Sequence, residues 1–269
     1  MSTRTLLPVP AGPPLAVWAC GQRSLAAQLA GRYLPTTACQ PDLLTPEVAR
    51  HLVEAFTRPG DLVIDPLAGP GILLTEAAAA GRRAAGLITG DRDVDLARAN
   101  LVKALTAGQL RYAAIRRGAE QHPGVFLDQH HGQAALVATR LPAPAPAAGG
   151  DPAVSCWLGS LRGPAYETAL GRMLEGWAVL ARPGGTVAVV TTSPVAGGVL
   201  TDLPGLVIRL AARAGLGYTQ HVIAITALIR DSRLFPYRAD GVSAPLGTPH
   251  DHLDVLVFTR LRPAGEEAR

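Results

Sequence analysis

Asp65, Pro66, Gly69 and Gly71 are the residues whose types and spacing suggest chemistry. They lie in "DLVIDPLAGPGILLTEAAAAGRRAAGLITGDRD" (61–93), which reads as apolar run, glycine turn, alanine-rich run, second apolar run and a burst of acids. A carboxylate at a strand end is placed to accept a hydrogen bond from a cationic amine. Gly69 and Gly71 leave the backbone open to close approach by a ligand. A turn that cradles a pyrophosphate in the G-x-G-x-x-G manner requires a third glycine, and Leu74 stands there. A ligand with an amino-acid end and an adenosyl end fits this arrangement better, and S-adenosylmethionine is such a ligand.

The turn works only if flanking elements hold it. "LVID" and "AAGLIT" read as buried parallel strands, and the alanine-rich helix between them stops at Gly81. Upstream, "LLTPEVARHLVEAF" carries a helix start, with Thr45 as cap, Pro46 at the first helical position and Glu47 complementing the dipole. Downstream, "DVDLARANLVKALTAG" is a helix closed by Gly108, and "YAAIRRG" and "AALVATRL" are third and fourth strands. A helix in "YETALGRMLEGWAVLA", a "RPGG" turn and the strand "TVAVVTT" follow. The helix "LPGLVIRLAARAGL" then leads to "YTQHVIAITALI", a long loop and "LDVLVFTRL". This order predicts an α/β fold: a doubly wound, mostly parallel sheet with a terminal antiparallel hairpin. Residues 1–40 read as a lead-in with one helical candidate, 41–262 as the main domain and 263–269 as a tail. "LPAPAPAAGGDPA" (141–153) reads as a low-complexity loop.

Composition narrows the function classes. The 269 residues are 48% hydrophobic and 17% charged, enough for a sizeable core and unlike a disordered chain. The net charge is +4, and Lys103 is the only lysine. An anionic partner, DNA or RNA among them, fits this balance, and so does an arginine-rich, high-GC coding bias. Cys20, Cys39 and Cys156 match no zinc or disulfide spacing, so no metal is expected. No apolar run reaches the ~20 residues of a membrane helix, and the first residues lack a signal-peptide core, so a cytoplasmic protein without membrane contact is expected.

"DPLAGPG" on a strand-to-helix turn resembles the first motif of class I S-adenosylmethionine-dependent methyltransferases, whose sheet is Rossmann-like. "VWACGQRSLAAQLAGRYLP", "LLTPEVARHLVEAFTRPGDLVIDPLAGPG", "DLARANL", "LARPGGTVAVV", "TDLPGLVI" and "HDHLDVLVF" together resemble a bacterial family of DNA methylase-like proteins, from about Trp18 to about Phe258. That family is related to amino-methylating DNA enzymes and to RNA guanosine methylases. The resemblance implies an enzyme that transfers a methyl group from S-adenosylmethionine, with nucleic acid as acceptor. It places Asp65, Pro66, Gly69 and Gly71 around the methionine half and lays Leu44–Pro46 over the methionine end.

The chain departs from the family in two places. The family ends its second strand with an acid for the ribose hydroxyls, two residues after Gly86, and Ile88 stands there. Asp91 follows and reads equally as a replacement ribose acceptor or as a helix cap. After the fourth strand the family carries a polar acceptor, two prolines and an aromatic ring that stacks on the extruded base. Here the positions are Arg140, Leu141, Pro142 and Ala143. Arginine is a donor only and cannot accept from an exocyclic amine, so no catalytic residue is assigned. "TTSPV" (191–195) reads as turn chemistry, and His130, His131, His250 and His252 lack a third ligand. The competing readings are a catalytically inactive binding or regulatory module that keeps the fold, and a small-molecule methyltransferase.

Overall fold

The computed structural model describes residues 16–40, 42–144, 157–193, 195–196, 199–237 and 251–261. Cys156, Arg238, His250 and most of 141–153 lie outside the described residues. The main sheet has eight strands: Val17–Ala19 (β1), Leu62–Asp65 (β2), Arg83–Ile88 (β3), Ala113–Arg117 (β4), Ala134–Arg140 (β5), Ala181–Thr191 (β6), Leu216–Ile225 (β7) and His252–Arg260 (β8). They lie in the order β1-β7-β8-β6-β5-β2-β3-β4. The strands β6, β5, β2, β3 and β4 pair in parallel, β1 is parallel to β7, and β8 is antiparallel to both β6 and β7. The expected doubly wound sheet with a closing antiparallel pair is the observed one.

Among the described residues, the α-helices of five or more residues are Leu25–Leu29 (α1), Pro46–Phe56 (α2), Ile72–Ala79 (α3), Asp91–Ala104 (α4), Gly163–Leu180 (α5) and Leu203–Arg213 (α6). Side-chain alternation in β2 shows how one strand serves two layers. Val63 joins the core beneath α2, α3 and α4, whereas Leu62 and Ile64 join the core beneath α5 and α6. In α5, Tyr166, Leu170, Met173, Leu174 and Trp177 recur at helical spacing and are all buried. Among the described residues, no helix is long and apolar enough to cross a membrane.

Three local readings need correction. Val17–Ala19, placed in the lead-in, is an edge strand of the sheet, and Trp18 is buried in the core with Leu29 and Tyr33. Strand β6 begins at Ala181 and absorbs the "RPGG" turn as an irregularity opposite β5, with Gly184 at φ +74. The stretch "YTQHVIAITALI" is not one strand: β7 stops at Ile225, and Leu228–Arg230 pairs with Arg233–Phe235 in a small antiparallel ribbon. Asp231 and Ser232 at its tip have positive φ, a turn that the long-loop reading missed.

Candidate active site

Parallel strands bring their carboxyl ends to one edge, and the loops leaving that edge form a cleft. Asp65 ends β2, Ile88 ends β3 and Arg140 ends β5, and all three line this cleft. After Asp65 the chain passes the buried Pro66, turns through Gly69 at φ +45, and enters α3 at Gly71, φ +77. Both glycines occupy the left-handed region where a side chain is strained. A Cβ on Gly71 would also lie 3.3 Å from Cβ of Ala97 in α4. The turn is thus pressed against its neighbouring helix.

The third glycine of a dinucleotide turn serves close helix–strand packing, and here that glycine is on the strand. A Cβ on Gly86 of β3 would meet Cδ1 of Leu74 at 2.6 Å and Cβ of Ala68 at 2.7 Å. Leu74 of α3 and Gly86 therefore interlock, with large and small residues exchanged between the two elements. Sequence spacing within the turn did not contain this signal, because the compensating residue lies 12 positions downstream.

Asp65 is 3% exposed and accepts a hydrogen bond from the Leu67 amide at 3.1 Å. Burial pushes its carboxyl from 3.8 up to about 7, with the Leu67 amide opposing. Such a group is ready to ionise against a cation entering the cleft. Asp91 does not enter the cleft. It is the first residue of α4, its exposed carboxylate pairs with Arg117 at 2.9 Å, and its side chain makes no cap bond to the helix amides. Asp93 lines the cleft instead, next to Ile88 and Thr89, and burial raises its pKa, opposed by Arg92.

Arg140, Leu141, Pro142 and Ala143, at the end of β5, separate. Arg140 points into the cleft and donates to the Leu43 carbonyl at 2.6 Å. Leu141 turns away, 2% exposed, into the core beneath α5, and its amide donates to the Val190 carbonyl. Pro142 lines the cleft and accepts from the Tyr166 hydroxyl at 2.7 Å, while Ala143 is half-buried beyond it. Leu141 thus has a packing role.

Buried polar groups that the sequence reading passed over hold the cleft together. Asn100 of α4, fully buried, accepts from the Leu34 amide at 2.9 Å and donates to the Thr37 hydroxyl at 2.9 Å and the Pro70 carbonyl at 3.0 Å. It joins the glycine turn to the N-terminal segment. Glu76 of α3 accepts from the Tyr33 hydroxyl at 2.6 Å and pairs with Arg32 at 2.9 Å. Thr45, expected to cap α2, makes no cap bond. Gln28 does so in its place, its Oε1 accepting from the Glu47 amide at 3.2 Å while its Nε2 donates to the Cys20 and Arg23 carbonyls. A side chain from another helix has taken the capping role.

Arginines stand on both edges of the sheet. Arg82 and Arg83 sit at the amino end of β3, opposite the cleft, and Arg82 is spent on Thr57 and the Ala80 carbonyl. Arg116 and Arg117 end β4, and Arg230 and Arg233 lie in the ribbon after β7, so these four stand on the cleft edge, all exposed. Among the described residues, no group of three His, Cys, Asp or Glu is arranged to hold a metal ion. His131 contacts the Gly124 carbonyl at 2.6 Å.

No protein-family model matches the chain, and no curated protein matches it in sequence. Solved structures do match its fold. TrmN from Thermus thermophilus is 20% identical with a TM-score of 0.54, covering 86% of this chain and 53% of TrmN, so the chain spans about half of that protein. A geranyl diphosphate methyltransferase, solved with GPP and sinefungin, is 14% identical with a TM-score of 0.54 and covers 93% of this chain and 91% of its own. Precorrin-6y C5,15-methyltransferase from Geobacter metallireducens GS-15 is 11% identical with a TM-score of 0.51, covering 82% and 92%. The chain thus shares the fold of these solved structures, two of which are named methyltransferases.

Proposed function

We propose that this chain is a methyltransferase that binds S-adenosylmethionine in the cleft, with nucleic acid as its acceptor class. The observation that carries the reading is Asp65, a buried carboxylate at a strand end beside two glycines of positive φ. Asp65 would receive the ammonium of the methionine half, with Pro66 setting the turn and Gly69 and Gly71 admitting the ligand to the backbone. Leu87 and Ile88 give the apolar wall that an adenine requires, and Asp93, in place of Asp91, would accept from the ribose hydroxyls. The bound cofactor supplies an electrophilic methyl group on sulfur. The chain's own contribution is placement, which alone lowers a bimolecular barrier substantially. Nucleic acid is favoured by the DNA methylase-like motifs and by the four exposed arginines on the cleft edge. A small-molecule acceptor is the second reading, favoured by the loss of the base-stacking ring at Ala143.

The test of the cofactor reading is Asp65→Asn, which keeps shape and the Leu67 contact but removes the charge. S-Adenosylhomocysteine is expected to bind the variant at least tenfold more weakly by calorimetry, or about 1.4 kcal/mol. Wild-type affinity is expected to climb as pH rises from 5 to about 7 and then level off, while the variant stays flat across that range. Asp42, Asp93, Glu120 and Arg140 face the same cleft, so the flat profile of the variant is what assigns the titration to Asp65. Stability runs the other way. Because the folded-state pKa is raised, the contribution of Asp65 to stability is fully present below about 3.8 and is lost as pH rises through about 7. At pH 8 the variant should therefore melt no lower than wild type. Equal affinity in both proteins at every pH would move the cofactor elsewhere.

The acceptor reading has its own test. Affinity for a DNA duplex or an RNA single strand is expected to fall steeply between 50 and 200 mM salt, by roughly tenfold or more for each few phosphates contacted. Arg116→Glu with Arg233→Glu should flatten that slope, whereas Arg83→Glu, on the opposite edge, should not. Absence of binding at low salt would leave the small-molecule reading.

A further inference from the structure

We infer that Arg140 is an oxyanion seat: its guanidinium holds a carboxylate or phosphate group of a ligand inside the cleft. The inference rests on reading the cleft as the cofactor site. Among the described residues, Arg140 is the only cationic side chain that lines it, against the carboxylates of Asp42, Asp65, Asp93 and Glu120. Its backbone is fixed on both sides, by the strand pairing of β5 and by the Leu141 amide and the Pro142 carbonyl bonded to Val190 and Tyr166. The side chain is anchored through one nitrogen, Nη1, to the Leu43 carbonyl.

A guanidinium carries five N–H donors in a rigid fork. Only the one bond to Leu43 is made, and no carboxylate stands within ion-pair distance of Arg140 among the described residues. A half-buried guanidinium with a single neutral partner has donors to spare, and its planar fork donates to a carboxylate or phosphate through two parallel bonds. Desolvation lowers the pKa of Arg140, with Asp42 opposing. The residue that replaces the amine acceptor of the related enzymes thus has a use of its own, with opposite chemistry: it receives an anion.

Two ligands offer that anion in this cleft, the amino-acid end of the cofactor and an acidic group on the methyl acceptor. Calorimetry with Arg140→Met and Arg140→Lys separates them. The probes are S-adenosylhomocysteine, its carboxylate methyl ester, and pyrophosphate titrated into protein already loaded with S-adenosylhomocysteine. If the cofactor supplies the anion, Arg140→Met loses tenfold or more in affinity for S-adenosylhomocysteine and no longer distinguishes it from the ester, which wild type binds weakly. If the acceptor supplies it, Arg140→Met binds S-adenosylhomocysteine as wild type does, and pyrophosphate binds loaded wild type but not loaded Arg140→Met. Arg140→Lys keeps the charge without the fork and should fall between, and the ester comparison on wild type holds even if Arg140→Met does not fold. The inference is overturned if Arg140→Met melts lower but binds every probe as wild type does, since Arg140 then only ties Leu43 to β5. Failure of wild type to bind S-adenosylhomocysteine at all defeats the cofactor reading. Pyrophosphate binding to unloaded wild type that is lost in Arg140→Met would still uphold the seat.

Discussion

Unmethylated genomic DNA incubated with the protein and tritiated S-adenosylmethionine is expected to yield neither N4-methylcytosine nor N6-methyladenine. An exocyclic amine is a poor nucleophile until groups that accept from its N–H bonds draw electron density onto nitrogen. The side chain that enters the cleft from the end of β5 is Arg140, which has only donors. General acid–base assistance of the missing kind is worth ~10²–10⁴ in rate. Ala143 leaves no ring for an extruded base, a stack worth roughly 1–3 kcal/mol. The turn has no freedom to offer a substitute. Leu141 is locked into the core, and the Pro142 carbonyl already accepts from the Tyr166 hydroxyl. Nucleoside mass spectrometry reads the outcome directly. Robust formation of either modified base, abolished by Asp65→Asn, would show that catalysis uses residues other than those at the end of β5.

Asn100→Ala is expected to destabilise the protein by about 2–4 kcal/mol and to weaken S-adenosylhomocysteine binding together with stability. Removing the amide leaves the buried Thr37 hydroxyl and the half-buried Leu34 N–H and Pro70 carbonyl without this partner, and a buried unsatisfied group costs roughly 1–3 kcal/mol before relaxation. In a protein of this size that corresponds to a drop in Tm of roughly 5–15 °C. The loss of binding has a separate cause. Pro70 lies between Gly69 and Gly71, so freeing its carbonyl loosens the turn that meets the ligand. Asn100→Asp is informative beside it, because it keeps the acceptor for Leu34 but turns a carboxylate toward the Pro70 carbonyl. It should bind ligand no better than Asn100→Ala. A melting temperature within 2 °C of wild type for Asn100→Ala would refute this role.

Most of the order of strands and helices, the glycine turn and the carboxylate of Asp65 at a strand end were readable in the chain. Each depends on neighbours within one element or one turn: alternation in "LVID", helical spacing in "YETALGRMLEGWAVLA", Asp65 and two glycines in a single connection. The arrangement of Arg140, Leu141, Pro142 and Ala143 after a strand was equally local, and so was its conflict with amine chemistry. What tertiary structure decided is whatever depends on how one element is turned toward another. Asp91 and Asp93 stand two residues apart, and spacing cannot choose between them. The choice belongs to the rotation of α4, which is set by burying Val94, Ala97, Asn100 and Leu101. Thr45 lost its capping role to Gln28 because a buried amide from another helix reached the same N–H. Gly86 replaced the third glycine because packing counts volume across an interface and not along a chain. Glu76 found Tyr33, and Asn100 found Leu34 and Pro70, through bonds between residues far apart in sequence. Local spacing specifies which turn forms, while the side chains that line and brace the cleft are selected by long-range burial and polar satisfaction.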